Sequence, residues 1–356
     1  MRYLLFTPEL FAAEGGIARI LRLYLKALCE VAAERDSVEL LSLNDRSIEE
    51  RELRQYSNRK LSDWTVCNRS KLDFMKAAFR LSRSCDVILC GHIGQLPVAW
   101  AMSKLRGGLS YYLVAHGIEV WRPFSLLERR AVLGAKAILC VSDYTRRRIL
   151  EYCRVPPERL LVLPNALDPH LAPKAPAPPP ANGSVVLTIS RLSASDGYKG
   201  IGHLIESMPA VRSSIPGARL RIVGRGDGLP ALQELVRRLE LKDAVEFTGY
   251  LSDDEIHKEF ERCTLFALPS QKEGFGLVYL EAMANGRPGL GAREGGTPEV
   301  ISADTGVLVE YGNVAEISQA ITDSLRRKWD LNALRQRAQY FSYLRFKERL
   351  ASVLHA

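Results

Sequence analysis

The sequence lacks any apolar run long enough to cross a membrane. A transmembrane helix needs about 18 or more consecutive apolar residues, and no such run occurs. The opening residues MRYLLFTPELFAAEGG have too short an apolar stretch and too early a glutamate for a secretory signal peptide. These two absences predict a cytoplasmic protein.

Closely spaced cysteine pairs are also missing. The seven cysteines are scattered, at positions 29, 67, 85, 90, 140, 153 and 263. They form no Cys-x-x-Cys motif and have no paired histidine spacing, so neither a disulfide framework nor a zinc site is indicated. We expect the cysteines to be buried free thiols.

Aromatic residues are missing from the basic runs. The net charge is +8, and residues 1–170 hold 26 basic against 19 acidic residues, so the first half carries nearly all of the excess. Runs such as residues 146–148, all arginine, lack the interleaved aromatics that single-stranded nucleic acid binders use. We therefore expect no nucleic acid partner, and favour an anionic membrane surface or a phosphorylated acceptor.

Short apolar runs alternate with longer segments of helical period in both halves of the chain. This alternation is typical of β-α-β units and a parallel sheet. The predicted strands are RYLLFT, VELLSL, DVILC, YYLVAH, AILCVS and LLVLP, then SVVLTIS, ARLRIVG, AVEFTG, TLFALP, RPGLGA and TGVLVE. A Pro- and Ala-rich segment at 169–183 separates the two series and predicts a semi-rigid linker. The length of 356 residues also favours two domains.

Two cations occur in the loop SRLSASDGYKG, directly after the strand SVVLTI. Arg191 at the strand end and Lys199 before the next helix could converge on a diphosphate, and Gly197 and Gly200 allow a close backbone approach. The helix after Gly200 adds partial positive charge in the same direction. The alternative is a solvated loop with two ordinary surface cations.

Two glutamates bracket the segment EGFGLVYLE, which follows the strand TLFALPS. Glu273 lies in a turn, Gly274 and Gly276 leave backbone N–H groups accessible, and a helix is predicted to begin near Phe275. Glu281 lies within that helix, so one ligand that contacts both glutamates must be long. A nucleoside diphosphate sugar fits the separation, although Glu281 could also be an acid that complements the helix dipole.

Taken together, these segments resemble the retaining, nucleotide-sugar-dependent glycosyltransferases of family 4. EGFGLVYLE resembles their E-x7-E signature and SRLSASDGYKG their diphosphate loop, while EGGIAR, AHGIEVW, VSDYTRRRI, VLPNALD and EGGTPEVI extend the resemblance over essentially the whole chain. The fold class that it implies is α/β GT-B, with two Rossmann-like parallel-sheet domains that face a cleft.

The resemblance also implies a division of the chain. The acceptor-binding domain is predicted at 1–168, the Pro-rich linker at 169–183 and the nucleotide-sugar-binding domain at 184–335. The C-terminal helix, 336–356, is predicted to pack back on the first domain. Where the family often has a tryptophan in this helix, the sequence has Tyr343.

Site roles follow from the resemblance residue by residue. Arg191 and Lys199 would neutralise the donor diphosphate and stabilise the departing nucleotide without a metal ion or other cofactor. Glu273 would bind hydroxyl groups of the transferred sugar, and Glu281 the ribose. The remaining predicted donor contacts are Gly15, Gly16, Gly249, Tyr250, Leu251, Gly274, Phe275, Gly276 and Leu277.

A histidine completes the predicted catalytic set of His116, Glu273, Arg191 and Lys199. His116 ends the strand YYLVAH, and its counterpart in the family contacts the donor sugar. The alternative for His116 is an ordinary histidine at a strand end, satisfied within the core.

We therefore expect a retaining, metal-independent hexosyltransferase of surface polysaccharide or glycolipid biosynthesis. Its donor would be a UDP- or GDP-sugar: HGIEVW resembles mannosyltransferases, which implies GDP-mannose, and a UDP-hexose is equally compatible with the motifs. Its acceptor would be a glycan or a polyprenyl- or lipid-linked sugar. Peripheral contact with an anionic membrane, at the inner face of the cell membrane, is a further expectation. The alternatives are a nucleotide-sugar epimerase of the same shape and a non-catalytic nucleotide-sugar-binding module.

Overall fold

The computed structural model divides the chain into two compact units. Unit 1 comprises Met1–Asp168 with Tyr343–Ala356, and unit 2 comprises Pro169–Ser342. The structure describes residues 1–12, 15–171, 173 and 184–355. Most of the predicted linker, residues 172 and 174–183, therefore lies outside the described residues.

Seven parallel strands form the sheet of unit 1 within its described residues. Their bounds are β1 Arg2–Thr7, β2 Ser37–Ser42, β3 Leu61–Val66, β4 Val87–Cys90, β5 Ser110–Ala115, β6 Ala137–Cys140 and β7 Leu160–Val162. They are ordered β3-β2-β1-β4-β5-β6-β7, so the strand order reverses between β1 and β4. The edge strand β3 was not predicted, because residues 62–64 are consecutively exposed and leave no apolar alternation to detect.

Helices cover both faces of this sheet, as right-handed β-α-β connections require. The first six are α1 Gly16–Val31, α2 Glu50–Leu53, α3 Lys71–Ser82, α4 Leu96–Leu105, α5 Leu126–Gly134 and α6 Asp143–Tyr152. Alternate residues of β1 serve opposite faces: Leu4 and Phe6 join the core under α3, α4 and α5, whereas Tyr3 and Leu5 join the core under α1.

Six parallel strands form the sheet of unit 2 within its described residues. They are β8 Val185–Ile189, β9 Arg219–Val223, β10 Val245–Gly249, β11 Leu265–Leu268, β12 Gly289–Ala292 and β13 Gly306–Val309. Their order is β10-β9-β8-β11-β12-β13, which repeats the order of the first six strands of unit 1 and reverses between β8 and β11. All six strands overlap predicted runs.

Seven helices follow in unit 2, counted over its described residues. They are α7 Ile201–Ser214, α8 Leu229–Arg238, α9 Asp253–Arg262, α10 Leu277–Ala284, α11 Thr297–Val300, α12 Val314–Arg326 and α13 Leu331–Tyr340. Helix α10 begins at Leu277 rather than near Phe275, because Gly276 takes a left-handed conformation with φ of 94° as its N-cap.

The last helix, α14 Tyr343–His355, belongs to unit 1. Phe346 packs edge-on against Tyr24 of α1 at 4.9 Å between ring centroids, and Lys347 forms an ion pair with Glu30 of α1 at 2.9 Å. The predicted boundary at 336 differs from the observed division, because residues 336–342 group with unit 2. Among the described residues, no helix is long and apolar enough to span a bilayer.

Candidate functional site

The loops after the strands of unit 2 are hydrogen-bonded to one another along the carboxyl edge of the sheet. Leu192 N donates to Arg225 O at 3.0 Å, Gln271 N donates to Tyr198 O at 2.8 Å, and Gly296 N donates to Glu273 O at 2.7 Å. In open α/β sheets, ligands bind beyond the carboxyl ends of the strands where the strand order reverses. The loops after β8 and β11, on either side of the reversal, therefore form the candidate site of unit 2.

Lys199 and Glu273 join these two loops. The Lys199 ammonium donates to Glu273 Oε2 at 2.9 Å, and both side chains are partly buried. Burial would lower the pKa of Lys199, but the Glu273 carboxylate and its hydrogen bond outweigh that effect and raise the pKa above its usual value. Lys199 thus stays charged and has a defined position at the reversal point.

Backbone packing fixes the turn that carries Lys199. A 3-10 turn covers Ala194–Lys199, and Gly200 follows it with φ of 75°, directly before α7. A Cβ on Gly200 would lie 2.4 Å from the Pro269 carbonyl oxygen. The loops after β8 and β11 therefore approach more closely here than any residue with a side chain allows.

Arg191 lies in the same loop and has its own carboxylate partner. Its Nε donates to Asp196 Oδ2 at 2.7 Å, while its side chain remains 72% exposed and that of Asp196 is buried. This hydrogen bond raises the pKa of Arg191. The guanidinium is anchored at one end and accessible over most of its surface.

An aromatic ring lies between two lysines in this cluster. The ammonium groups of Lys199 and Lys272 lie 5.5 and 5.7 Å from the centroid of the Tyr198 ring. Sequence reasoning missed Asp196, Tyr198 and Lys272. A signal existed for Asp196, since an acid five residues after Arg191 in the same loop is a natural partner, but none placed Lys272 beside Tyr198.

Glycines allow the two loops around Glu273 to interlock. A Cβ on Gly296 would lie 2.2 Å from the Gly274 carbonyl oxygen, and a Cβ on Gly295 would lie 2.3 Å from the Glu273 carbonyl oxygen. The backbone that carries Glu273 is thus held from both sides by the loop after β12.

The rest of the EGFGLVYLE segment divides between core and surface. Phe275 is buried, with its ring edge-on to Phe341 at 5.2 Å, so only its backbone can face a ligand. Leu277 and Glu281 are partly exposed and one helical turn apart on the same side of α10.

The predicted contacts at 249–251 follow β10. The Gly249 carbonyl accepts from Gly224 N at 2.8 Å, and Tyr250 exposes a ring on which the Arg225 guanidinium lies at 4.8 Å. The turns after β9 and β10 thus meet and present an exposed Arg–Tyr pair together with Leu251.

In unit 1, Gly15 and Gly16 are exposed at the N-terminus of α1. A Cβ on Gly15 would meet nothing within 4 Å. The two preceding residues, Ala13 and Glu14, lie outside the described residues. Helix α1 starts close to the point where the strand order of unit 1 reverses, since it follows β1.

A buried carboxylate that sequence reasoning missed holds the loop leading to these glycines. Asp45 accepts backbone N–H groups of Leu10, Phe11 and Ala12 at 2.8, 3.0 and 2.6 Å, and a hydroxyl hydrogen bond from Ser42. These three amides come 33 to 35 residues earlier in the chain, so no local pattern could indicate the contact.

His116 directly follows β5 and is buried. Its Nε2 lies 2.8 Å from the Gly91 carbonyl oxygen, and its Nδ1 has no hydrogen-bond partner among the described residues. Burial lowers the pKa of His116, and the nearby Glu119 only partly opposes that effect. The ring is therefore neutral at pH 7, with Nε2–H donating to Gly91 and a lone pair on Nδ1.

The predicted site residues thus fall into two groups. Lys199 and Glu273 come together in unit 2, with Arg191 in the same loop as Lys199, whereas Gly15 and Gly16 with His116 lie on the carboxyl edge of the unit 1 sheet. Among the described residues, no three His, Cys, Asp or Glu side chains cluster in a way that could hold a metal ion.

Two family models match consecutive parts of the chain. The model described as "Glycosyltransferase Family 4" matches residues 15–171, and the model described as "Glycosyl transferases group 1" matches residues 174–341. Together they cover most of units 1 and 2.

Curated relatives share about 30% identity with this chain. A GDP-mannose-dependent alpha-(1-6)-phosphatidylinositol monomannoside mannosyltransferase of Mycobacterium tuberculosis is 29% identical over 67% of this chain and 66% of its own length. Its counterpart from Mycolicibacterium smegmatis is 30% identical over 67% of each chain. A glycogen synthase of Mycobacterium tuberculosis is 32% identical over 74% of this chain and 58% of its own length. The match thus spans about two thirds of the mannosyltransferases.

Solved structures resemble the whole chain. Anabaena HepE in complex with UDP superposes with a TM-score of 0.79 and 21% identity, and covers 100% of both chains. Sucrose-phosphate synthase from Thermosynechococcus elongatus superposes with a TM-score of 0.77 and 18% identity, over 99% of this chain and 98% of its own. These likenesses establish the α/β fold of both units.

Proposed function

The chain belongs to the family 4 glycosyltransferases of the GT-B fold, and from this premise we propose that it transfers a hexosyl group from a nucleoside diphosphate sugar with retention of anomeric configuration. The observation that carries the proposal is the Lys199–Glu273 ion pair at the strand-order reversal of unit 2. It sets a cation and a carboxylate side by side where a donor would present phosphate and sugar.

Unit 2 would bind the diphosphate through Lys199 and Arg191. Each cation already has a carboxylate partner, Glu273 and Asp196 respectively, so its position is determined before any ligand arrives. The N-terminus of α7, directly after Gly200, adds partial positive charge on the same loop. Charge that builds up on the departing nucleotide would meet fixed cations, with no metal ion or other cofactor required.

The two glutamates would bind opposite ends of the donor. Glu273 would accept hydrogen bonds from hydroxyls of the transferred sugar while it keeps Lys199 charged. Glu281, in the second turn of α10, would bind the ribose, and the backbone at Gly274, Gly276 and Leu277 would lie beside the phosphates. The Arg225–Tyr250 pair, with Gly249 and Leu251, would bind at the nucleobase end.

His116 would be a neutral hydrogen-bonding group within unit 1. With Nε2–H engaged by Gly91, its Nδ1 lone pair could accept a hydrogen bond from a sugar hydroxyl. The amides at Gly15 and Gly16 would add a second contact from the start of α1.

We further propose a lipid-linked or glycan acceptor and, among donors, GDP-mannose before UDP-hexose. The preference is supported by the GDP-mannose-dependent mannosyltransferases among the relatives, whose names specify a phosphatidylinositol mannoside acceptor. UDP-sugars stay in the comparison because HepE was solved with UDP and with UDP-glucose.

A thermal-shift panel of GDP, UDP and their sugars tests the donor. A ligand that binds only the native protein stabilises it by about 2.7 kcal/mol at 100 times its Kd. We expect GDP and GDP-mannose to raise the melting temperature, and Lys199→Ala to abolish the shift. A response to uracil nucleotides alone would overturn the donor choice, and no response to any nucleotide would overturn the function.

Product analysis separates transfer from the alternative reactions. Incubation of the chain with donor and a lipid-linked sugar acceptor should give a glycosylated lipid whose new linkage has the anomeric configuration of the donor. An inverted linkage would refute retention. A changed sugar nucleotide formed without acceptor would indicate an epimerase, and tight nucleotide binding without turnover would indicate a binding module.

A further inference from the structure

Three neighbouring helices of unit 1 share an outer surface of unusual composition. Helix α3 contacts α4, and α4 contacts α5, while their inner sides bury one apolar core against the sheet. We call residues 69–83, 96–106 and 122–134, which contain these helices, the basic–apolar layer.

Large apolar side chains are concentrated on the outer side of this layer. On α3, Leu72, Met75 and Phe79 are 65%, 45% and 47% exposed and form one stripe at helical spacing. The other exposed large apolar side chains of the layer belong to Leu105, Leu126, Leu127 and Leu133. Unit 2, over its described residues, exposes only Tyr250 and Tyr340 among large apolar side chains. A cluster of exposed apolar side chains marks a surface that binds another protein or a membrane.

Positive charge surrounds these apolar groups. The basic–apolar layer holds ten Lys and Arg against two Asp and Glu, an excess as large as the net charge of +8 of the whole chain. Of the two acids, Glu128 is paired with Arg122 in a hydrogen bond of 2.7 Å. The Arg83 guanidinium lies 5.3 Å from the Phe79 ring centroid, so charge and apolar surface are in direct contact.

The layer extends to the edge of the sheet where the unit 1 site residues lie. A helix that follows a parallel strand starts at the carboxyl end of that strand, so Leu72 on α3 and Leu126 on α5 lie near the edge that also carries His116. A surface that met lipid here would bring headgroups toward this edge.

We propose that the basic–apolar layer docks unit 1 on an anionic lipid bilayer. Long basic side chains beside exposed Leu, Met and Phe are typical of elements that lie in the headgroup region, where cations meet lipid phosphates and apolar groups enter the acyl boundary. The docking itself is independent of the proposed transfer, whereas delivery of a lipid-linked acceptor rests on the proposed function.

Co-sedimentation of the full chain with vesicles tests the proposal. Vesicles of phosphatidylcholine alone are compared with equimolar phosphatidylcholine and phosphatidylglycerol, at low and high salt. We expect binding to the mixed vesicles only, and weaker binding at high salt because screening reduces the attraction. Lys76→Glu with Arg80→Glu should weaken partitioning by about tenfold or more, and Leu72→Ser with Phe79→Ser should also weaken it.

Matched controls address charge and polarity elsewhere on unit 1. Arg35→Glu with Arg59→Glu makes the same change in charge away from the layer. Leu344→Ser replaces an exposed apolar side chain of α14 with a polar one, also away from the layer. Both should bind as the wild type does. Equal loss in the controls, or wild-type binding to neutral vesicles, would overturn the proposal.

Two further measurements test for self-association and for damage to the nucleotide site. Size-exclusion chromatography compares the wild type with the double variant Leu72→Ser, Phe79→Ser. If the layer is instead an interface between two copies of the chain, the wild type will elute as the larger species, and the proposal is wrong. Nucleotide thermal shifts should be unchanged in all layer variants. A variant that loses vesicle binding but keeps the nucleotide shift supports docking whatever the outcome for the transferase.

Discussion

The first six strands of unit 1 and the six strands of unit 2 have the same order, and the two units differ in which residues lie at the point where that order reverses. Unit 2 places an ion pair there, Lys199 with Glu273, beside Arg191. Unit 1 places a helix start with Gly15 and Gly16, followed two strands along by the neutral His116. One fold thus supports a charged site in one unit and an uncharged site in the other, because the loops and not the sheet carry the chemistry.

The way each loop is held differs as well. In unit 2, glycines let backbone pack directly on backbone, as where Gly296 meets Gly274. In unit 1, the carboxylate of the buried Asp45 accepts hydrogen bonds from three backbone N–H groups. A steric change should therefore disturb unit 2, and a loss of hydrogen-bond acceptors should disturb unit 1.

The largest expected effect comes from removing the cation of unit 2. Lys199→Ala should lower kcat by about 10²- to 10³-fold, because a fixed charge that stabilises the leaving diphosphate is lost. The control is Lys272→Ala, which removes an exposed lysine beside the same Tyr198 ring and should cost much less. Equal losses of kcat in the Lys199→Ala and Lys272→Ala variants, measured in steady-state transfer assays, would mean that Lys199 does not stabilise the leaving diphosphate.

Asp45→Asn should disturb the unit 1 site much more than it disturbs nucleotide binding by unit 2. An asparagine side chain has only one acceptor oxygen where Asp45 has two, so one or more of the N–H groups of residues 10–12 loses its partner and this loop shifts. A displacement of 1 Å at a site can lower the rate by up to about 10²-fold. Transfer kinetics and nucleotide thermal shifts together check this expectation.

The control for Asp45 lies at the other end of β1. Asp86 is exposed and accepts Arg2 N at 2.8 Å, so Asp86→Asn alters a carboxylate–backbone contact away from the site edge. A similar loss of transfer in both variants would indicate general destabilisation rather than a displaced loop.

Gly296→Ala should destabilise unit 2 by about 1–3 kcal/mol, because the new methyl group would lie 2.2 Å from the Gly274 carbonyl oxygen and the two loops must separate. Gly197→Ala, in the neighbouring loop, adds the same methyl group where nothing lies within 4 Å and should leave stability within about 0.5 kcal/mol. Urea unfolding of both variants measures the difference. Similar midpoints would show that the loops can relax.

The smallest expected effect is a pH dependence carried by unit 1. Burial lowers the pKa of His116 from 6.5 in the folded chain. Below pH 6.5 the unfolded chain therefore binds a proton that the folded chain does not. The contribution of His116 to the free energy of unfolding is complete above pH 6.5 and declines as the pH falls. His116→Gln should therefore lose less stability than the wild type on acidification, and one pH unit below 6.5 the difference can reach at most about 1.4 kcal/mol.

Thermal unfolding across this pH range measures the effect. A wild-type curve parallel to that of His116→Gln would mean that His116 binds protons equally in both states.

Local patterns predicted the parts of the fold whose signal lies within a few residues. Apolar runs indicated every strand of unit 2 in its described residues, and turn glycines with flanking charges indicated Arg191, Lys199 and Glu273. β3 escaped because an exposed edge strand carries no apolar alternation. The C-terminal boundary was placed too early, since residues 336–342 have helical period whichever unit they pack on.

The sequence by itself determined the family, the two parallel sheets and the candidate site residues, because strand runs, loop glycines and charged motifs act over short stretches of chain. Only the tertiary structure decided that Glu273 pairs with Lys199 across 74 residues, that Asp45 holds a loop 33 to 35 residues away, and that the ring of His116 is buried and neutral. The physical reason is that a partner, a degree of burial and a shifted pKa depend on which strands lie side by side, and the sheet brings together loops that are distant in the chain.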